Sequence, residues 1–128
     1  MSSYMPKAKS DVHITPDRVF DLIYEYYGYG KDDLFDPCPL NTKHDGLEIS
    51  WHDINFVNPP YTLLSEFVQK ALDELPKKTI LLLPSKTDQG WFHNLYNYWG
   101  RIIWIKGRLK FKNNKFSATQ PHFLIMID

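Results

Sequence analysis

Apolar residues recur at helical spacing at Val19, Phe20, Ile23, Tyr26 and Tyr27, and the run stops at Gly28. Thr15-Pro16-Asp17 ahead of it reads as a helix start, with a Thr N-cap, Pro at the first helical position and an acid in the first turn. Asp32–Asp36 reads as a short strand feeding the turn Asp36-Pro37-Cys38-Pro39. Leu40 to Asp53 lacks a sustained period and reads as mostly loop. Ile54–Val57 is an apolar strand that ends at Asn58-Pro59-Pro60-Tyr61. Thr62 is placed to cap a second helix, whose stripe runs Leu63, Leu64, Phe67, Val68, Ala71, Leu72 and Leu75. Thr79–Pro84 is continuously apolar, as in a strand buried on both faces. Asp88 is placed to cap a shorter helix through Tyr98. Arg101–Lys106 and Phe123–Ile127 read as strands on either side of a turn at Asn113-Asn114. This alternation predicts an α/β fold with a compact, mostly parallel sheet and an antiparallel pair at its C-terminal edge. In such sheets ligands bind beyond the carboxyl ends of the strands. Three unusual turns fall there: Asp36-Pro37-Cys38-Pro39, Asn58-Pro59-Pro60-Tyr61 and Pro84-Ser85-Lys86.

Composition narrows the class. A chain of 128 residues, 43% hydrophobic and 23% charged, has room for one modest core and is not a disordered tail. Met1 to Ser10 is polar and reads as a flexible arm ahead of a single domain over residues 11–128. No apolar run approaches the roughly 20 residues that a membrane span needs. With no apolar signal core in the arm and one cysteine, Cys38, a cytoplasmic, reduced protein is expected. The five histidines, His13, His44, His52, His93 and His122, lack close metal-ligand spacing, so no metal is expected. Fifteen basic residues balance fifteen acidic ones, which excludes binding to nucleic acid by bulk charge. The balance hides an asymmetry. Residues 1–100 carry nine basic and fourteen acidic side chains, and residues 101–128 carry six basic and one acidic. That basic segment is either a solvated hairpin or a local phosphate-contacting surface on a neutral body.

The informative tetrapeptide is Asn58-Pro59-Pro60-Tyr61. Two prolines directly after a buried strand end the ladder, because neither donates a backbone hydrogen bond, and they hold their carbonyls in place. An amide side chain and a fixed carbonyl facing one cavity can both accept from an amino group, and a ring two residues on can stack on a planar substrate. The plainer alternative is a strand terminator followed by a surface Tyr.

With these residues the sequence resembles the phage-type DNA N-6-adenine methyltransferase (Dam) family, over about Ser10 to Ile127. The resemblance rests on the order and spacing of Thr15-Pro16, Asp36-Pro37-Cys38, Asp45-Gly46-Leu47 with Trp51, and Asn58-Pro59-Pro60-Tyr61. It continues through Lys70-Ala71, Leu82 to Asp88, Trp91-Phe92-His93 and Lys106 to Phe111. It implies a trimmed Rossmann-like sheet and methyl transfer from S-adenosyl-L-methionine to the N-6 amine of adenine in DNA. Asn58 and the Pro59 carbonyl would hold the amine, with Pro60 stiffening the turn and Tyr61 stacking on an extruded base. Asp36, Pro37 and Cys38 would lie near the methionine part of the cofactor, with Asp36 accepting from its ammonium. Thr15 would serve its carboxylate and Asp45 its ribose or adenine, with Asp53 and Glu48 as weaker alternatives. Asp36 and Asp45 also read as turn residues, Thr15 as a plain N-cap and Cys38 as a buried or turn thiol. Lys86, Arg108, Lys110 and Lys112 are the candidates for phosphate contacts, and a viral origin would put the protein in the host cytoplasm. The chain departs from the larger methyltransferase pattern in two ways. No glycine lies between Cys38 and Gly46, and there is no inserted target-reading domain. A homodimer is one way to complete so small a pocket. The alternatives are a silent relative that binds nucleic acid or cofactor without turnover, and a methyltransferase acting on glutamine side chains of proteins.

Overall fold

The structure is a computed structural model that describes residues 13–39 and 45–128. The arm expected at Met1 to Ser10, residues 40–44 of the expected loop, and His44 lie outside the described residues. Among the described residues four strands form one open sheet: β1 (Ile54–Val57), β2 (Lys78–Pro84), β3 (Ile103–Trp104) and β4 (His122–Ile127), in the order β1-β2-β4-β3. Helix α1 (Asp17–Tyr27) precedes the sheet, α2 (Leu64–Asp73) connects β1 to β2, and the short α3 (Gly90–Asn94) follows β2.

Alternation along the strands explains the layers. Val57, Leu81, Leu83, Phe123, Ile125 and Ile127 face one side and pack with Phe67, Val68 and Ala71 of α2, with Trp91 and Phe92 of α3, and with Trp51. Phe56, Ile80, Leu82 and Leu124 face the other, with Val19 and Ile23 of α1 and with Ile105, Leu109 and Phe111. The sheet is therefore covered on both faces, as the unbroken apolar run of β2 requires. Gly28 ends α1 in the left-handed region at φ 84°, and its amide meets the carbonyls of Ile23 and Tyr24.

Glu74, just beyond α2, ties the loop before β1 to that helix. Its carboxylate accepts the Trp51 amide at 2.7 Å and also binds Lys77 at 2.9 Å and Lys70 at 3.1 Å. The Trp51 amide foremost, then the two lysines, hold its carboxyl at about 2.

Several expectations need correction. The sheet is not mostly parallel: only β1 and β2 run parallel, whereas β4 runs antiparallel to both β2 and β3. The antiparallel C-terminal pair is present, with β3 at the edge. Asp32–Asp36 is not a strand. Lys31–Asp33 makes a 3₁₀ turn closed by the Gly30 amide on the Asp33 carboxylate, and only Phe35 reaches the sheet, as a parallel bridge to Asn55. Thr15 does not cap α1, because Pro16 occupies the N-cap position and the Thr15 hydroxyl is engaged elsewhere. Thr62 lies inside a 3₁₀ turn, Tyr61–Leu63, and the helix starts only at Leu64. The helix expected from Asp88 through Tyr98 is α3 followed by a 3₁₀ stretch, Tyr96–Arg101, and the strand expected over Arg101–Lys106 is only β3.

Candidate active site

Register brings the three unusual turns to one end of the sheet. Val57 pairs with Leu81, so β1 stops while β2 continues for three residues to Pro84, which pairs with His122 at the start of β4. The carboxyl ends of β1 and β2 and the amino end of β4 thus share an edge. The parallel bridge at Phe35 sends Asp36-Pro37-Cys38 to the same edge. Asn58-Pro59-Pro60-Tyr61 crosses the step left where β1 ends early.

Within that tetrapeptide, Asn58 is half-buried and its Nδ2 donates twice, to the His13 carbonyl at 3.0 Å and to Thr15 Oγ1 at 3.0 Å. Both bonds sit on the nitrogen, so the amide is fixed with Oδ1 turned away from them. Neither Oδ1 nor the Pro59 carbonyl takes part in a hydrogen bond among the described residues. Two acceptors one residue apart are therefore unused, and a donor brought to either would gain a partner.

Tyr61 is anchored from beneath. Its hydroxyl meets His122 Nε2 at 2.8 Å, and its ring packs against His13 with centroids 4.5 Å apart. His13 in turn packs against Phe111 at 4.7 Å. Burial pushes the Tyr61 hydroxyl up to about 12, so it stays protonated and donates whenever His122 carries its proton on Nδ1. Burial also pushes His122 down to about 4, with His13 adding to the effect and the Gln120 backbone opposing it. His122 is thus neutral at physiological pH. His13 and His122, read from the sequence only as lacking metal-ligand spacing, both flank the tetrapeptide, and His122 is buried.

The other expected site residues divide. Asp36 Oδ1 accepts the Cys38 amide at 2.8 Å and Asp45 Oδ1 accepts the Leu47 amide at 2.9 Å, each closing an Asx turn. The two turns are pressed together. A Cβ on Gly46 would stand 2.2 Å from the Pro37 carbonyl oxygen, so only glycine permits that approach, and the Gly46 carbonyl takes the Trp51 indole N–H at 2.8 Å. Pro37 and Cys38 are buried, Cys38 in the cluster with Trp51 and Phe67, while Asp36 is exposed and Asp45 half-buried. Thr15 stands at Asn58, separate from any helix cap.

Among the basic candidates, Lys86 is exposed just past β2, on the site's edge of the sheet. Lys110 is exposed as well. Arg108 donates to the Thr119 carbonyl, and Lys112 pairs with Asp17 at 2.7 Å in the open. Among the described residues, no group of three or more His, Cys, Asp or Glu is placed to hold a metal ion, and no helix is long and apolar enough to cross a membrane.

No curated protein and no solved structure matches the chain. The family comparison does: residues 2–122 match DNA N-6-adenine-methyltransferase (Dam), a span that holds the tetrapeptide, both Asx turns, the basic segment and His122. With nearly the whole sequence inside that match, the chain belongs to the DNA N-6-adenine-methyltransferase (Dam) family.

Proposed function

We propose that this chain transfers a methyl group from S-adenosyl-L-methionine to the N-6 amine of adenine in DNA. The observation that carries the reading is the fixed amide of Asn58, whose nitrogen is occupied by His13 and Thr15 while its oxygen and the next carbonyl, that of Pro59, take no hydrogen bond among the described residues. An adenine amine is a poor nucleophile because its lone pair is delocalised into the ring. Two acceptors on its two hydrogens draw the nitrogen toward tetrahedral geometry and stabilise the positive charge that grows on it. Pro59 and Pro60 keep those acceptors from relaxing, and the half-buried ring of Tyr61 offers a face for the base.

The donor set at the neighbouring turns fits the cofactor. Asp36 and Asp45 are carboxylates suited to an ammonium and to ribose hydroxyls, and their turns stand this close only because Gly46 lacks a side chain. S-adenosyl-L-methionine supplies an already electrophilic methyl group, so no acid, metal or covalent nucleophile is asked of the protein. Cys38, buried beside Trp51, is consistent with that. Lys86 and Lys110 are exposed cations for phosphate, and Arg108 and Lys112, exposed as well, also hold the C-terminal segment through Thr119 and Asp17.

Nucleoside analysis of DNA incubated with the protein and labelled cofactor tests the reading. The label is expected on N-6 of adenine. DNA bound but unlabelled at saturating cofactor would point to a silent relative, and label on protein glutamine instead would replace the substrate.

A further inference from the structure

Phe116 has 76% of its surface in water, the highest exposure of any large apolar side chain among the described residues. Its position gives that exposure a meaning. Residues 114–119 form one wall of a cavity of about 260 Å³ whose other wall is His13, Tyr61 and Phe111. The loop is rooted firmly. Leu109 and Phe111 are buried in the core, the Ala118 amide meets the Leu109 carbonyl at 2.7 Å, and Arg108 holds the Thr119 carbonyl. It is also stitched to the segment that orients Asn58, through the Lys112 amide on the Ile14 carbonyl at 3.0 Å and the Ile14 amide on Asn113 Oδ1 at 2.9 Å. Five basic residues and no acidic one lie between Lys106 and Lys115, and the Lys115 ammonium stands 5.8 Å from the Phe116 ring centre. An aromatic tip on a hydrogen-bonded, cationic loop beside a cavity suits a duplex, whose bases stack inside and whose phosphates are anionic outside.

We propose that Phe116 is a wedge that enters the base stack where the target adenine leaves it, while the cavity beside Tyr61 faces the extruded base. This rests on the reading that adenine in DNA is the substrate. An apolar side chain inserted between base steps replaces stacking lost on extrusion, so it matters for duplex DNA and much less where the base is already unpaired. A second copy of the chain is the competing occupant, but a surface this basic repels itself.

The test compares wild type, Phe116→Ala and Phe116→Tyr on plasmid DNA lacking N-6-methyladenine, either native or heat-denatured, with labelled S-adenosyl-L-methionine. Phe116→Ala is expected to lower the native-to-denatured rate ratio about tenfold, and Phe116→Tyr to restore most of it. An unchanged ratio overturns the wedge, as does an effect explained by altered sedimentation of the free protein. A second readout needs no methyl transfer. The indole of Phe116→Trp, with wild-type fluorescence subtracted, is expected to be quenched and shielded from iodide by a short duplex. An indole that stays open to iodide on bound duplex overturns the proposal. A wild type that methylates neither DNA form removes the activity reading alone, and the fluorescence then still decides the contact.

Discussion

The Asn58 amide is oriented by what its nitrogen touches, and Tyr61 by what its hydroxyl touches. Asn58, Pro59, Pro60 and Tyr61 could be singled out because two prolines after an apolar strand are a local anomaly. Their supports could not, since His13 reaches Asn58 from 45 positions away and His122 reaches Tyr61 from 61. The only available signal for His122 was its place directly before the apolar run Phe123–Ile127, which matters once β4 is known to run antiparallel. His122 allows a prediction with a definite sign. Its pKa is depressed in the folded protein to about 4, so its contribution to stability is whole above about 6.5 and is lost as pH falls through about 4. Urea unfolding of wild type and His122→Gln should therefore converge on acidification, with the gap shrinking by about 3 kcal/mol between pH 7 and pH 4. A gap independent of pH would show that the imidazole is not held neutral. At pH 7, His122→Gln keeps a partner for the Tyr61 hydroxyl and His122→Leu does not. The glutamine variant should retain more kcat than the leucine variant in DNA methylation.

Elements were legible where a hydrophobic period was long. α2, β1, β2 and β4 fall close to where Leu63–Leu75, Ile54–Val57, Thr79–Pro84 and Phe123–Ile127 put them. Periodicity reports burial and says nothing of strand direction, and so a mostly parallel sheet was expected where β4 inserts antiparallel between β2 and β3. Asp32–Asp36 failed for a different reason. Asp33 closes a 3₁₀ turn on the Gly30 amide, leaving Phe35 alone to pair. The contact between the Asp36 and Asp45 turns was equally invisible, because a close backbone approach leaves only a glycine behind as its trace. Gly46→Ala places a methyl against the Pro37 carbonyl and should cost about 1–3 kcal/mol in urea or thermal unfolding. It should also weaken S-adenosyl-L-methionine binding measured by calorimetry. Unchanged cofactor affinity in this variant would separate the Asx turns from the cofactor site.

Over the whole molecule, zero net charge conceals a basic C-terminal segment that the fold partly spends on itself. Arg101 pairs with Asp128 at 2.8 Å and Lys112 with Asp17. Lys106, Arg108, Lys110 and Lys115 remain exposed with no carboxylate partner among the described residues, on the segment beside the Tyr61 cavity. The molecule is thus a small sheet with the tetrapeptide at one edge and a basic segment whose loop walls the cavity beside Tyr61. In the proposed reaction the Asn58 oxygen holds the adenine amine during transfer. Single-turnover methylation of adenine in DNA at saturating S-adenosyl-L-methionine tests it most directly, comparing wild type with Asn58→Ala. The alanine variant should stay folded and bind DNA while its rate falls by about 10²–10³, the loss seen when one preorganised transition-state partner is removed. A rate within a factor of about three of wild type, under one kcal/mol of barrier, would contradict the account.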